Sequence, residues 1–211
     1  MSAPAIPAPA SPAAQPSWAG DGFIDLPDVL SAEIWDRLTV EAEALQPTAA
    51  PGGFTNVAAH HDGSFCSPSR FRSCRGGPAL TGVLRDLTLL HLVREVTGLP
   101  RLIPVRSGWV FYRSGDYMGV HRDSVKATVT ISFTVTGALG PMSWAPSLRT
   151  VGNDVLGRLV AEYGPFPADG FEAFEVPVRG LRGFDGYNTP HYRAPFEGEV
   201  GILGNFCYFD L

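Results

Sequence analysis

The sequence has little cysteine, and its three cysteines, Cys66, Cys74 and Cys207, form no Cys-x-x-Cys pair. An odd number of cysteines without close spacing argues against a disulfide framework and against a zinc finger. We therefore expect free thiols, which are typical of the reducing cytoplasm, and we expect the protein to be cytoplasmic.

The chain also lacks an excess of basic charge and lacks long apolar runs. Its net charge is −5, whereas a nucleic-acid partner requires a basic footprint, so no nucleic-acid partner is expected. No apolar run reaches the roughly 20 residues that cross a bilayer, so no membrane partner is expected either. Residues 1–20 are rich in Ala, Pro and Ser, and this composition predicts a disordered tail.

What remains is a chain of ordinary globular composition, with 45% hydrophobic and 18% charged residues. Residues 21–211 are numerous enough to bury the core of one domain, so we expect a single domain that is a monomer or a homodimer.

The order of hydrophobic patterns predicts the fold class. One helix is predicted after the N-cap Ser31 up to residue 45, and a second over residues 78–97, with a long loop over residues 46–77 between them. From residue 102 onward the chain is predicted to form about eight short strands, interrupted by an insertion over residues 137–170 with a helix at 154–163. Helices followed by strands predict an α+β chain with a jelly-roll, cupin-like double-stranded β-helix and flanking N-terminal helices.

The histidines are also few, five in number, and His121 has a carboxylate at a spacing that suggests a site on a strand. His121 and Asp123 are separated by one residue, so both side chains point to one face of an extended strand. His191, near the start of a late strand, is the candidate third ligand. Two histidines and one carboxylate with open positions opposite are typical of non-haem Fe(II) oxygenases. His60 and His61 are expected to be exposed loop residues.

The spacing Tyr112-x-x-Gly115-x-x-Met118-x-x-His121-x-Asp123, with the distal His191, resembles the 2-oxoglutarate- and Fe(II)-dependent dioxygenases. The likeness is strongest to their prolyl-hydroxylase-like branch. The resemblance implies that His121, Asp123 and His191 bind iron and are the catalytic residues. It also implies that 2-oxoglutarate is decarboxylated to succinate while O2 oxidises a substrate, which we expect to be a small molecule such as an amino acid or natural-product intermediate.

The resemblance further implies a cation for the distal carboxylate of 2-oxoglutarate, and here the sequence departs from the family. The usual Arg would lie near Gly201, but no Arg or Lys follows Arg193. Arg193 is the first substitute, because it lies two residues from His191 on the same strand face. Lys126 is the second, and Arg106 and Arg113 remain open as alternatives. Tyr112 is a candidate hydroxyl donor to the same carboxylate.

Several alternatives remain open from the sequence. Arg193 could instead form a surface ion pair with Glu197 or Glu199, and Tyr112 could be a core aromatic residue. The chain could be a cupin-type metal dioxygenase or isomerase that does not use 2-oxoglutarate, or a jelly-roll binding module without catalytic activity. Arg122, between two ligands, is expected to point away from the metal.

Overall fold

A computed structural model describes residues 18–26 and 28–211 of the chain. Residues 1–17 of the predicted tail therefore lie outside the described residues. Its last positions fall in a short helix, α1 (Trp18–Asp21), which leads into the first strand, β1 (Phe23–Leu26).

The helices precede and flank the sheet. The first long helix, α2 (Ala32–Leu45), begins where predicted, and the Ser31 hydroxyl accepts a hydrogen bond from the Ile34 amide at 3.3 Å. The prediction of one continuous helix over residues 78–97 is wrong. Two helices form in this segment, α3 (Pro78–Leu84) and α4 (Leu87–Thr97). The break occurs because Asp86 is extended and caps α4, accepting a hydrogen bond from the Leu89 amide at 2.8 Å.

The strands form one curled antiparallel sheet with a small separate hairpin. The remaining strands are β2 (Ala50–Gly52), β3 (Ala58–Ala59), β4 (Phe65–Cys66), β5 (Ser69–Arg75), β6 (Leu102–Arg113), β7 (Tyr117–His121), β8 (Val129–Thr136), β9 (Met142–Trp144), β10 (Glu172–Phe174), β11 (Leu181–Phe184), β12 (His191–Arg193) and β13 (Val200–Asp210). The order in the large sheet is β1-β11-β8-β13-β6-β5-β7-β12-β9-β10, with β2 paired to β5 and the hairpin formed by β3 and β4. The predicted double-stranded β-helix is confirmed.

Strand β5 corrects the predicted loop over residues 46–77. Residues 72–75 of β5 pair with β6, and Ser69 and Arg70 pair with β7, so this strand joins the two halves of the curled sheet. Its sequence, Ser-Arg-Phe-Arg-Ser-Cys-Arg, shows no hydrophobic alternation because most of its side chains are only half-buried.

Apolar cores lie on the faces of the sheet. Outside the curl, helices α2, α3 and α4 pack on the larger half, where Phe133 makes edge-to-face contacts with Trp35 and Trp109. A second apolar cluster, which includes Val110, Tyr112 and Leu203, lies inside the curl. The insertion contributes α5 (Asn153–Tyr163), which packs over β4, β7 and β12 in a third cluster. None of the helices in the described ranges has the length and apolar character needed to cross a membrane.

Candidate metal centre

The curl of the sheet brings His121, Asp123 and His191 together. His121 ends β7, His191 begins β12, and the two are direct partners in the antiparallel pairing of these strands. Asp123 follows β7 and is held in place by its amide, which donates to the Gly186 carbonyl oxygen at 2.9 Å. One ligand atom from each residue lies within 4.8 Å of the other two, and the described residues contain no other such group of histidine, cysteine or carboxylate side chains.

Hydrogen bonds to the backbone orient both imidazoles. Nδ1 of His121 donates to the Gly119 carbonyl oxygen and Nδ1 of His191 donates to the Thr189 carbonyl oxygen, each at 2.9 Å. This arrangement leaves the Nε2 lone pairs free to bind a metal. The two Nε2 atoms lie 3.8 and 3.9 Å from Asp123 Oδ1. These distances are too long for hydrogen bonds, so the three atoms face a common space.

Two residues that the sequence reasoning missed position Asp123. The Thr130 hydroxyl donates to Asp123 Oδ2 at 2.6 Å, which directs Oδ1 toward the two imidazoles. Gly186 lies against the same oxygen, because a Cβ at this position would be only 2.2 Å from Oδ2. Thr130 lies in the strand that the sequence predicts after the His121-x-Asp123 motif, so a contact with Asp123 was foreseeable. No pattern in the sequence indicates that Gly186 lies against Asp123.

The electrostatics favour the protonation states that a divalent cation needs. Burial and the nearby His191 lower the pKa of His121 to about 4, so its imidazole is neutral at pH 7. Burial opposes the ionisation of Asp123, but its contacts with His191, His121 and the Thr130 hydroxyl outweigh burial and lower its pKa. Neutral imidazole and ionised carboxylate are the forms that bind metal. The donor set therefore fits a divalent transition-metal ion.

The three residues line a cavity of about 1110 Å³ inside the curled sheet, and Arg193 lines the same cavity. Arg193 is only 4% exposed. Its Nη1 donates to the carbonyl oxygens of Leu139 and Gly140 at 3.2 and 2.6 Å. Within the described residues it has no ion pair, so the surface pairing with Glu197 or Glu199 that the sequence left open is absent. Arg193 is thus a buried cation beside the candidate metal site.

Tyr112 lies beside Arg193, with the guanidinium carbon 5.9 Å from the ring centroid. Burial raises the pKa of Tyr112, although the Arg193 charge opposes the shift, so the hydroxyl keeps its proton. Gly201 is the direct partner of Tyr112 across β6 and β13. A Cβ at Gly201 would lie 2.1 Å from the Leu139 side chain. A side chain at Gly201 would therefore have to displace Leu139, and the cation beside Tyr112 is instead Arg193, from β12 in the other half of the curled sheet.

Lys126 does not lie where a cosubstrate anchor requires. It is an exposed residue in the turn between β7 and β8 and is not among the residues that line the cavity. The prediction that Lys126 binds the distal carboxylate of 2-oxoglutarate is therefore corrected: the residue lies in the turn before β8, and its side chain is exposed to solvent.

His60, His61 and Arg122, which the sequence analysis also considered, are not among the three candidate metal ligands. His60 is at the cavity wall, with Nε2 3.6 Å from Cys66 Sγ, and His61 is exposed as expected. Arg122 points away from the three candidate ligands. Its guanidinium donates to the Leu148 and Val151 carbonyl oxygens at 3.0 and 2.9 Å, and this ties the insertion to the strand that carries the site.

The chain is similar to known proteins in its fold but not recognisably in its sequence. No protein-family model matches the sequence, and no curated protein is similar enough to be a recognisable relative. Solved structures do match. The non-heme alpha ketoglutarate dependent epimerase SnoN from nogalamycin biosynthesis has a TM-score of 0.65 and 14% identity, over 92% of this chain and 80% of that chain.

Two further structures have the same architecture. HygX from Streptomyces hygroscopicus, with nickel and 2-oxoglutarate bound, has a TM-score of 0.64 and 12% identity, over 91% of this chain and 84% of that chain. A Pseudomonas putida prolyl-4-hydroxylase has a TM-score of 0.57 and 16% identity, over 90% of this chain and 94% of that chain. The chain therefore has the fold of the 2-oxoglutarate/Fe(II) oxygenases, which confirms at the level of the fold the resemblance found in the sequence.

Proposed function

We propose that this chain is a 2-oxoglutarate-dependent Fe(II) oxygenase that hydroxylates or desaturates a small molecule. The observation that carries the proposal is the presence, in one cavity, of three convergent metal ligands and a buried arginine without an acidic partner. Similar structures that contain nickel and 2-oxoglutarate, or iron, support it through the shared fold.

The metal would be held by Nε2 of His121, Nε2 of His191 and Oδ1 of Asp123. Three protein ligands leave the remaining positions of an octahedral ion for a chelating cosubstrate and O2. When bound, Fe(II) would activate O2, the oxidant, while the decarboxylation of 2-oxoglutarate to succinate supplies two electrons. In the family that the sequence resembles, halogenases have a small residue at the position of Asp123, so its presence favours hydroxylation or desaturation over halogenation.

Arg193 and Tyr112 would hold the distal carboxylate of 2-oxoglutarate. Burying a guanidinium without an acid costs several kcal/mol, even where carbonyl oxygens accept some of its hydrogen bonds. A carboxylate would offset this cost through charge-assisted hydrogen bonds from the guanidinium and from the Tyr112 hydroxyl. Val110, Met118, Met142 and Leu203, which line the cavity nearby, would contact the carbon chain and exclude water from it.

The remaining contribution of the chain is to fix the donor atoms before the ligands bind. The carbonyl oxygens of Gly119 and Thr189 orient the imidazoles, and Thr130 orients the carboxylate. Such preorganisation avoids the cost of ordering the side chains when metal and cosubstrate arrive.

The proposal is tested by anaerobic titration of the Fe(II)-loaded full-length chain with 2-oxoglutarate, followed by visible absorption. We expect a weak metal-to-ligand charge-transfer band in the parent and none in His121→Ala. Arg193→Met should raise the apparent dissociation constant of 2-oxoglutarate by roughly tenfold or more, because it removes a charge-assisted pair. Tyr112→Phe should give a smaller increase, and Lys126→Ala should leave the constant unchanged.

Each alternative predicts a different outcome. A chain that binds Fe(II) without forming the band would be a metal enzyme that does not use 2-oxoglutarate. A chain that binds neither Fe(II) nor Mn(II), with His121→Ala indistinguishable from the parent, would be a binding module. An unchanged dissociation constant in Arg193→Met would show that the anchor is assigned to the wrong residue.

A further inference from the structure

A second group of cations lines the cavity away from Arg193. Arg75 is at the end of β5, Arg85 follows the last residue of α3, and Arg106 is in β6, and all three line the cavity while their side chains remain largely exposed. The role proposed above for Arg193 does not involve them. We refer to them as the rim arginines.

The strand register separates the rim arginines from the candidate cosubstrate anchor. Arg106 and Tyr112 are six residues apart on β6 and therefore share a face, at a distance of about 20 Å along an extended strand. Arg75 is the direct partner of Gly108 across β5 and β6, so its side chain lies on that same face. Arg85 is brought to this end by α3, where the Thr81 hydroxyl lies 3.2 Å from the Ser107 hydroxyl.

The candidate metal ligands are close to Arg106. Thr130, which donates to Asp123, and Arg106 are both direct partners of Cys207, and Arg106 is close enough to interact with the charge of Asp123 and with the Cys207 thiol. Arg193, by contrast, interacts with Tyr112 near the other end of the strand face. A ligand on the rim arginines and a diacid on Arg193 would therefore occupy different parts of the cavity.

The rim arginines differ from most arginines of the chain in having no ion pair and no hydrogen bond to a carbonyl oxygen among the described residues, although Arg106 contacts the Cys207 thiol. Among the described residues, six arginines form ion pairs with acids, and others donate to carbonyl oxygens. The arginines with neither kind of partner are Arg37, Arg75, Arg85, Arg106 and Arg113, so three of them line this one cavity.

The imbalance of charge is local. The whole chain has a net charge of −5, yet Asp123 is the one carboxylate among the residues that line the cavity. Neighbouring guanidinium groups repel one another, and a cleft lined by one sign of charge concentrates ligands of the opposite sign. An anion bound there would remove the repulsion.

The wall beside Arg75 is polar, because Arg75 and Asn205 are both direct partners of Gly108. Ser132 and Asn205 are direct partners across β8 and β13, and both line the cavity. Neither side chain has a hydrogen-bond partner among the described residues, so both are available to a ligand. The cavity, at about 1110 Å³, is at the upper end of the range for small-molecule sites, which leaves room for a second ligand beside 2-oxoglutarate.

We propose that the primary substrate is an anion, a small polar molecule whose phosphate or carboxylate group binds to Arg75, Arg85 and Arg106. Ser132 and Asn205 would contact its polar body and direct a carbon toward the metal ligands. The assignment of this anion as the substrate rests on the proposed function, whereas the anion site itself does not.

The site is tested by calorimetric titration of the full-length, metal-free chain with inorganic phosphate and, separately, with acetate at low ionic strength. We expect saturable phosphate binding that weakens at least roughly tenfold in the double variant Arg75→Ala/Arg85→Ala, since each charge-assisted hydrogen bond contributes strongly. The matched control is Arg37→Ala, which removes an equally exposed and unpartnered arginine of α2 and should change nothing. Arg193→Met and saturating 2-oxoglutarate should also leave phosphate binding unchanged.

The outcomes are distinct. Tighter binding of phosphate than of acetate would identify a phosphorylated substrate, and the reverse order a carboxylic acid. The proposal is overturned if phosphate does not bind saturably, if the double variant binds as the parent does, if Arg37→Ala weakens binding equally, or if Arg193→Met or 2-oxoglutarate abolishes it. The phosphate titration uses no metal and tests only the anion site, whereas the charge-transfer experiment tests only the proposed function. Failure of one proposal can therefore be distinguished from failure of the other.

Discussion

At the scale of single residues, Thr130 determines which oxygen of Asp123 is offered to a metal. Its hydroxyl donates to Oδ2 at 2.6 Å. Thr130→Val keeps the shape of the side chain but removes the donor, so we expect the affinity for Mn(II) to fall about 10- to 100-fold, as is typical when a hydrogen bond to a ligand is lost. Thr130→Ser retains the hydroxyl and should bind nearly as the parent does. Calorimetry or electron paramagnetic resonance of Mn(II) would measure this, and equal affinities for Val and Thr would contradict it.

Gly186 limits the space behind the same carboxylate. A Cβ there would lie 2.2 Å from Asp123 Oδ2, so Gly186→Ala must displace Asp123 or the turn after β11. We expect loss of most metal affinity in the folded protein. Gly157→Ala is the control, because a Cβ at Gly157 has no neighbour within 4 Å, and this helical substitution should be neutral or slightly stabilising. Both variants can be compared by Mn(II) titration after circular dichroism has verified folding.

The sequence made the ligands visible but not the residues that orient them. His121 and Asp123 could be predicted because strand geometry places alternate residues on one face, and His191 because few histidines compete with it. Gly186 could not be predicted, because its importance depends on an approach between distant segments. The burial of Arg193 was equally hidden, since it follows from the curl of the sheet, which brings Leu139 and Gly140 against its guanidinium.

At the scale of elements, Arg122 connects the insertion to the strand that carries the site. Its guanidinium donates to the Leu148 and Val151 carbonyl oxygens and to Asn153 Oδ1. We expect Arg122→Met to raise amide hydrogen exchange in residues 148–155 by tenfold or more, since loss of about 1.4 kcal/mol of local stability gives a tenfold change. Arg158→Met, which removes an exposed pair with Asp154 on α5, should have little effect. Unchanged exchange in Arg122→Met would show that the insertion is held by other contacts.

Element boundaries were predictable where local chemistry determines them. The N-cap Ser31 marked the start of α2, whereas the interruption before α4 was missed because the hydrophobic stripe continues across it. Strand β5 was missed because its side chains are half-buried and polar, so no alternation marks it. Its pairing with both β6 and β7 is a property of the sheet, which the residues of β5 do not show by themselves.

At the scale of the whole molecule, the metal ligands come from segments far apart in the sequence, so metal binding should stabilise the entire fold. Mn(II) at 100 times its dissociation constant would add about 2.7 kcal/mol to the free energy of unfolding. For a chain of this size that corresponds to a rise in Tm of roughly 5–10 °C. Differential scanning calorimetry should show this rise in the parent and none in His121→Ala. The same rise in both proteins would place the metal elsewhere.

The distribution of charge over the molecule separates the two anion sites. Arg193 lies buried beside Tyr112, whereas Arg106 lies six residues away from Tyr112 on β6, close to Asp123. We therefore expect a metal and a diacid to occupy one cavity, with the diacid anchored by Arg193.

A crystal structure of the chain with Mn(II) and 2-oxoglutarate tests this arrangement most directly. We expect the metal at about 2.0–2.2 Å from His121 Nε2, His191 Nε2 and Asp123 Oδ1, as is usual for such ligands. We also expect the distal carboxylate of 2-oxoglutarate within hydrogen-bond distance of Arg193 and Tyr112. A metal bound away from these three residues, or a distal carboxylate held by Arg106 or by no cation, would contradict it.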